Sequence, residues 1–330
     1  MMTLSELLLR WYQENGRDLP WRVKGQAHHD AYAVWVSEIM LQQTTVKTVL
    51  DYFDRWMKHF PTMSDLSNAD IQDVLLMWQG LGYYTRAKKL HECAKVLMEK
   101  YNGHFPSNRA ELLKLPGIGP YTASSICAFA FNQPETVVDG NVIRVIARLY
   151  GITTPIDRDD IYQRASALTP EKQGADYASA IMDLGATVCT PSNPKCGVCP
   201  WKEKCVAHAK RLTAQIPLIE KPEKQQRTGV LFLIQNTQGA YYIRKRGGKG
   251  LLSGLYEFPW EYENIPPIAG DWQQMPIKIT HTFTHFHLTL GVQKIISDTV
   301  PNDDGFFVFS QDFKDYPFST LMKKVFKYLK

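Results

Sequence analysis

The sequence predicts two domains: a mainly α-helical N-terminal domain closed by a four-cysteine loop, then a linker and a smaller α+β domain. Three observations lead there. A chain of 330 residues exceeds what one hydrophobic core usually holds. Apolar residues recur at helical spacing through the first two hundred positions, with no useful β-alternation. Beyond the cysteines the pattern shifts to short, strand-like apolar runs separated by turn residues.

Taken in order, Val46, Val49, Leu50, Phe53 and Met57 mark one face of a helix that stops before Pro61. Ala87, Leu90, Ala94, Leu97 and Met98 repeat that spacing ahead of Asn102-Gly103. Further helices are expected over residues 70–77, 120–131, 142–150, 159–168 and 177–188. Residues 214–226 are polar with two prolines and read as a semi-rigid linker. Strands are expected at 229–234, 240–243, 285–292 and 305–309, and a closing helix at 320–329. The domains are then 1–213 and 227–330.

Composition sets the outer bounds. A net charge of +5 permits a nucleic-acid partner without requiring one. Hydrophobic residues at 44% and aromatics at 12% fill ordinary cores and exclude a wholly disordered chain. No apolar run approaches the roughly 18 residues of a membrane-spanning helix. The N-terminal stretch lacks the basic start, long apolar run and small-residue cleavage site of a signal peptide. Of six cysteines, Cys93 and Cys127 are isolated, whereas Cys189, Cys196, Cys199 and Cys205 fall within seventeen residues. In an unexported chain such density reads as a metal or cluster site before disulfides.

Three motifs carry chemistry. In Leu115–Ala123, LPGIGPYTA, a helix ends, two glycines flank one apolar residue, and a new helix starts near Pro120. That helix-hairpin-helix pattern leaves the amides of Gly117 and Gly119 free at a helix N-terminus, where phosphate binds; an ordinary turn would use the same glycines for conformation alone. The cysteines follow Cys-x6-Cys-x2-Cys-x5-Cys. With only one C-x2-C knuckle, this spacing suits a [4Fe–4S] cluster better than zinc. Lys195, Lys202, Lys204, Lys210 and Arg211 surround it and offer phosphate contacts. Finally, Glu38 sits among apolar residues in VWVSEIMLQQT, where burial would raise its pKa towards neutrality. Asp139 in VVDGNVIR precedes a helix and would equally serve as its N-cap, as would Asn141.

Together SEIMLQQT, GLGYYTRAKKL, LPGIGPYTA, VDGNVIRV, MDLGA and the four-cysteine loop resemble the endonuclease III superfamily of DNA repair glycosylases. They occur in that family's order and cover residues 11 to about 210. Within it the similarity is to the MutY-type adenine DNA glycosylases, on SEIMLQQT, Tyr83-Tyr84, and a second domain with GLYEFP and HTFTHFHL. The resemblance implies a helix-hairpin-helix glycosylase fold with an iron–sulfur loop, joined to a Nudix-like domain. It implies a monomeric, cytoplasmic, DNA-associated bacterial enzyme of base excision repair. Its partner would be duplex DNA in which adenine is mispaired with 8-oxoguanine or guanine.

The residue roles follow from the same resemblance. Glu38 matches the acid that protonates adenine N7, because adenine leaves poorly as an anion. Asp139 matches the carboxylate facing positive charge on the deoxyribose, as electrostatic partner or covalent nucleophile. Asn141 orients sugar or phosphate, with Tyr121 beside it. Bifunctional relatives carry a Schiff-base lysine where this chain has Tyr121, so a monofunctional enzyme with little lyase activity is expected. The adenine must be flipped out: Gln43 and Tyr83 match the wedge. Arg17, Leu19, Arg22 and Asp183 match the adenine pocket. Phe283, Thr284 and His285 match the loop reading 8-oxoguanine, with Thr284 where most relatives carry serine. The thiolates of Cys189, Cys196, Cys199 and Cys205 hold the cluster.

Two alternatives compete. A bifunctional endonuclease III is disfavoured by Tyr121 and by the second domain. A Nudix hydrolase or non-catalytic binding module is disfavoured by the absence, after GLYEFPWEYEN, of the acidic R-E-x-x-E-E helix that metal-dependent hydrolysis uses.

Overall fold

A computed structural model describes residues 2–22, 30–153, 155–218, 223–248 and 250–329. The chain forms two compact units, Met1–Asn68 with Glu92–Glu220, and Ala69–His91 with Lys221–Lys330. The crossing at residues 220–221 falls inside the expected linker, and the segment 69–91 belongs with the second unit.

The helices are α1 (Leu4–Asn15), α2 (Ala31–Leu41), α3 (Val46–His59), α4 (Met63–Asn68), α5 (Ile71–Met77), α6 (Thr85–Tyr101), α7 (Arg109–Leu112), α8 (Pro120–Phe131), α9 (Gly140–Tyr150), α10 (Arg158–Ser166), α11 (Gly174–Asp183) and α12 (Val206–Ala209). No strand precedes residue 225 among the described residues. Each helix expected before the cysteines is present, with ends shifted by a few residues. Three went unread. One of them, α1, carries a legible start: a capping box in which Thr3 Oγ1 accepts from the Glu6 amide and Glu6 Oε2 accepts from the Thr3 amide. The others are α2 and α4. Helix α2 is apolar around nearly its whole circumference, burying Val34, Trp35, Val36, Ile39 and Met40, so no single stripe marks it. It packs on α8, equally buried, which in turn packs on α11. The helix expected over 177–188 is α11 followed by a π-helical turn, Leu184–Val188. Such widened turns concentrate at functional sites.

In the second unit, β1 (Gln225–Gln235), β2 (Tyr241–Lys245), β3 (Tyr256–Glu257), β4 (Trp260–Glu261), β5 (Gln273–Thr282), β6 (Phe286–Ile296) and β7 (Phe306–Val308) form one sheet. Its main path runs β3-β2-β1-β6-β5, with β4 on β1 and β7 on β2. Strands β1 and β6 run parallel, from Gln225 opposite Phe286 to Gln235 opposite Ile296. The other pairs are antiparallel. That long-range pairing draws Gln225 and Gln226 from the expected linker into β1. Strand β5 escaped the sequence because Pro276 interrupts it and its burial alternates only weakly. A register shift between Met275 and Lys278 absorbs the proline, and β5 sits at the end of the path with β6 as its partner. The closing helix expected over 320–329 is a correction: only α13 (Thr320–Lys323) and a 3₁₀ turn, Phe326–Tyr328, form. Its apolar residues serve the core directly. Phe326 packs on Phe258, Phe313 and Phe318 beneath the sheet.

Candidate active site

The first unit brings the expected acids together. Helix α2 is buried on most sides, so Glu38 is only 6% exposed. Tyr121, in the first turn of α8, donates its hydroxyl to Glu38 Oε2 at 3.1 Å. Ser125, one turn further along the same face, lies beside the carboxyl, and its hydroxyl donates to the Thr122 carbonyl at 2.9 Å. Burial pushes the Glu38 pKa up to about 7; the Arg22 charge and both hydroxyls restrain the rise, and Asp139 adds to it. A carboxyl so placed carries its proton for much of the time near neutrality. Burial, with Glu38 and Asp139 close by, holds the Tyr121 phenol well above its ordinary pKa, so it remains a donor.

Asp139 does cap α9, and the cap leaves half its carboxylate for other work. Oδ1 accepts from the Val142 amide at 2.8 Å, and Oδ2 accepts from Asn141 Nδ2 at 2.8 Å. Asn141 is held in turn: its Oδ1 accepts from Arg144 at 2.9 Å. The Arg144 guanidinium also donates to the carbonyls of Gly185 and Cys189, each at 2.7 Å. Gly185 lies in the π-helical turn against Asn141. A Cβ there would come within 2.6 Å of the Asn141 Cβ, so the MDLGA glycine is required by close approach.

Asp183, fully buried, accepts from the Arg17 amide at 2.8 Å and from its guanidinium at 2.7 and 2.9 Å. Arg22 donates to the same carboxylate at 2.8 Å. Burial alone would raise this carboxyl; Arg22 and Arg17 outweigh it and hold it below its usual value. Leu19 is buried between those arginines in the chain. Arg22 thus faces both Asp183 and, electrostatically, Glu38.

The hairpin forms as expected. Gly117 adopts φ +75°, which favours glycine, and Gly119 is the N-cap of α8, where no side chain occupies the cap. Neither amide donates a hydrogen bond among the described residues. Gln43 is exposed just past α2 with a left-handed backbone, φ +59°.

All four cysteines of the loop line one cavity, with Arg148 against it. Arg148 is 2% exposed and donates to the carbonyls of Ile216, Thr190 and Pro191 and to Cys189 Sγ at 3.4 Å. Among the described residues no three His, Cys, Asp or Glu converge closely enough for a single ion. Four sulfurs around a common space, with a buried guanidinium on one, fit a four-iron cubane whose thiolates sit apart at its corners. A tetrahedral zinc would draw them to one point.

In the second unit, Tyr83 is 47% exposed with φ +48°, an uncommon backbone for a bulky residue. Its hydroxyl shares a hydrogen bond with Thr284 Oγ1. Both line a cavity of about 360 Å³, together with Phe283, His285 and residues 250–253.

Sequence reasoning missed Ser125, Arg144 and Arg148. The first two had a signal: Ser125 lies four residues after Tyr121, and Arg144 three after Asn141, spacings that share a helix face. Arg148 is bound chiefly to loop carbonyls distant in the chain, so nothing local marks it.

The chain matches three family profiles: HhH-GPD superfamily base excision DNA repair protein over residues 36–171, NUDIX domain over 230–328, and iron-sulfur binding domain of endonuclease III over 189–205. It is 36% identical over 311 residues to the adenine DNA glycosylase of Buchnera aphidicola subsp. Baizongia pistaciae, covering 89% of this chain and 86% of that one. It is 33% identical over 397 residues to the human adenine DNA glycosylase, covering 97% and 72%. A thermostable thymine-DNA glycosylase superposes with a TM-score of 0.57 at 28% identity, covering 62% of this chain and 95% of that one. A non-covalent endonuclease III–DNA complex shares the fold, with a TM-score of 0.53 at 23% identity over 64% of this chain and 99% of that one. The cysteine loop is accordingly a [4Fe–4S] site. The thiolates of Cys189, Cys196, Cys199 and Cys205 would hold the cluster, which would cross-link residues 189–205 when bound.

Proposed function

The chain belongs to the adenine DNA glycosylases, and from that membership we propose that it excises adenine mispaired with 8-oxoguanine or guanine in duplex DNA. It acts as a monofunctional N-glycosylase and leaves an abasic site for base excision repair. The observation that carries this reading is a protonatable Glu38 at a pKa of about 7, gripped by Tyr121 within reach of the Asp139 charge.

With the adenine flipped into the first unit, Glu38 delivers its proton to N7, making a neutral leaving group. As the glycosidic bond breaks, positive charge builds on the deoxyribose, and the free face of the Asp139 carboxylate stabilises it. Asn141, fixed between Asp139 and Arg144, orients the sugar. Arg17, Leu19, Arg22 and Asp183 shape the base pocket. Gln43 and Tyr83 fill the stack, and the Gly117 and Gly119 amides take a backbone phosphate. The first unit carries the catalytic residues, and residues 227–330 inspect the opposite base through Phe283, Thr284 and His285. Tyr121 has no amine, so no Schiff base forms at that position. The enzyme works as a monomer.

The test is single-turnover cleavage of a duplex bearing 8-oxoguanine opposite adenine. Strand scission is expected only after alkali, and borohydride is expected to trap no adduct. An intact strand after alkali overturns the reading, and a trapped adduct overturns the monofunctional assignment.

A further inference from the structure

Beside the cavity that holds Tyr83 and Thr284, residues 247–248 and 250–254 have an unusual loop backbone. Gly248, Gly250, Leu252 and Gly254 all have positive φ, between +60° and +119°. Leucine disfavours that region, so local preference does not hold the loop in shape. Two side chains hold it: the Ser253 hydroxyl donates to the Gly248 carbonyl at 2.7 Å, and Arg246 ties the loop to the core. The guanidinium Nε donates to the Leu251 carbonyl at 3.1 Å, across the loop. Its NH1 grips Glu257, 2% exposed, at 2.9 and 3.1 Å. Glu257 is anchored independently by Arg244 at 3.2 Å and by the Trp260 indole at 2.9 Å. The Arg246 guanidinium also lies 4.5 Å from the Trp260 ring centroid. At the loop's base, Arg246 and residues 254–255 exchange backbone hydrogen bonds at 2.8 Å. One side chain therefore ties a buried acid of the core to the loop's midpoint, and the loop presents Leu251, Leu252 and Ser253 to the cavity.

We propose that Arg246, braced on Glu257, is a positioning residue for recognition of the base opposite adenine, holding residues 250–254 against the reading cavity. The inference rests on the reading of the second unit as the part that inspects that base. A lysine cannot reproduce it. Lysine keeps a charge beside Glu257 but has no planar fork to reach the Leu251 carbonyl at the same time.

The experiment uses the full cluster-loaded chain and Arg246→Lys, with Arg246→Gln as a second variant. Dissociation constants are measured for duplexes with 8-oxoguanine or guanine opposite a non-cleavable 2′-fluoro-adenosine. Single-turnover excision rates are measured at saturating enzyme, and amide exchange is followed at Gly254 and Leu255. The preference for 8-oxoguanine is expected to fall roughly tenfold, the worth of one charge-assisted hydrogen bond. The excision rate is expected to stay within about twofold, and the two amides to exchange faster. Unchanged preference in both variants overturns the proposal, as does a preference and rate that fall together, which is the mark of general loosening. If the wild-type chain itself shows no preference for 8-oxoguanine, the reading of the second unit fails instead. The exchange data then decide the brace, and unaltered exchange at Gly254 and Leu255 overturns it.

Discussion

The carboxylates proposed for chemistry in the first unit are buried or held: Glu38 takes the Tyr121 hydroxyl in an apolar helix, Asp139 is held by Val142 and Asn141, and Asp183 by Arg17 and Arg22. In the second unit the residues proposed for wedging and reading the duplex stand differently. Tyr83 and Thr284 are exposed, Tyr83 in a strained backbone, and they share a hydrogen bond with each other. The difference follows from what each region must do. Proton transfer and charge stabilisation need protonation states and angles fixed in advance, and burial with saturated hydrogen bonding supplies both. Inspecting a duplex needs a surface that DNA can reach, whose polar atoms exchange partners when it arrives.

Substitutions that remove charge chemistry from the first unit break the contrast hardest. Glu38→Gln is expected to lower the single-turnover excision rate by about 10²–10⁴ while mismatch binding persists, since the amide fits the site but delivers no proton. Asp139→Asn is expected to cost about 10²–10³ in rate. Asparagine caps helices as well as aspartate, so the thermal midpoint should hardly move. A large fall in that midpoint would make Asp139 a cap before a catalyst.

Arg22→Ala tests whether the pocket's hydrogen bonding is also structural. It leaves fully buried Asp183 with Arg17 alone, and unpairing buried charges costs about 3 kcal/mol. Urea denaturation with the cluster retained would read that loss. A change below about 1 kcal/mol would show that Arg17 suffices.

The pH profile sharpens the comparison more finely. In the proposed mechanism Glu38 acts while protonated, and burial raises its pKa to about 7. The excision rate should therefore hold below that pH and fall tenfold per unit above it. Tyr121→Phe removes a donor that favours the charged carboxylate. The break should move upward, by up to about one unit. A downward move would mean that the phenol stabilises the protonated acid.

The same contrast sets what could be read from the sequence. The buried site was legible because its residues lie in short motifs governed by helix geometry: Asp139 one residue before α9, Gly119 before α8, Glu38 in an apolar run. Four residues apart on one helix face, Tyr121 and Ser125 meet at Glu38, and that spacing was available without coordinates. The second unit was harder. Its longest pairing joins β1 to β6 across fifty residues in parallel register, and Pro276 disguised β5. The left-handed backbone of Tyr83 has no local signature, and the Arg246 brace joins Leu251 and Glu257, five and eleven residues on, at no helical or strand period that would mark it.

Gln43 gives the smallest effect and the most direct check on strain. It sits in the first unit, two residues beyond the helix that carries Glu38, yet resembles Tyr83: exposed and at φ +59°. Asparagine tolerates that backbone better than glutamine and is also an amide, with similar freedom in the unfolded chain. Gln43→Asn should therefore stabilise the protein slightly, by a few tenths of a kcal/mol, through relief of strain. The shorter side chain fills less of the stack beside a flipped base, so affinity for the mismatch should fall in the same variant. Stability rising as affinity falls would mark the strain at Gln43 as the cost of holding a wedge outside the packed site. If both rise together, the left-handed turn serves the helix end alone, and the wedge role passes to Tyr83.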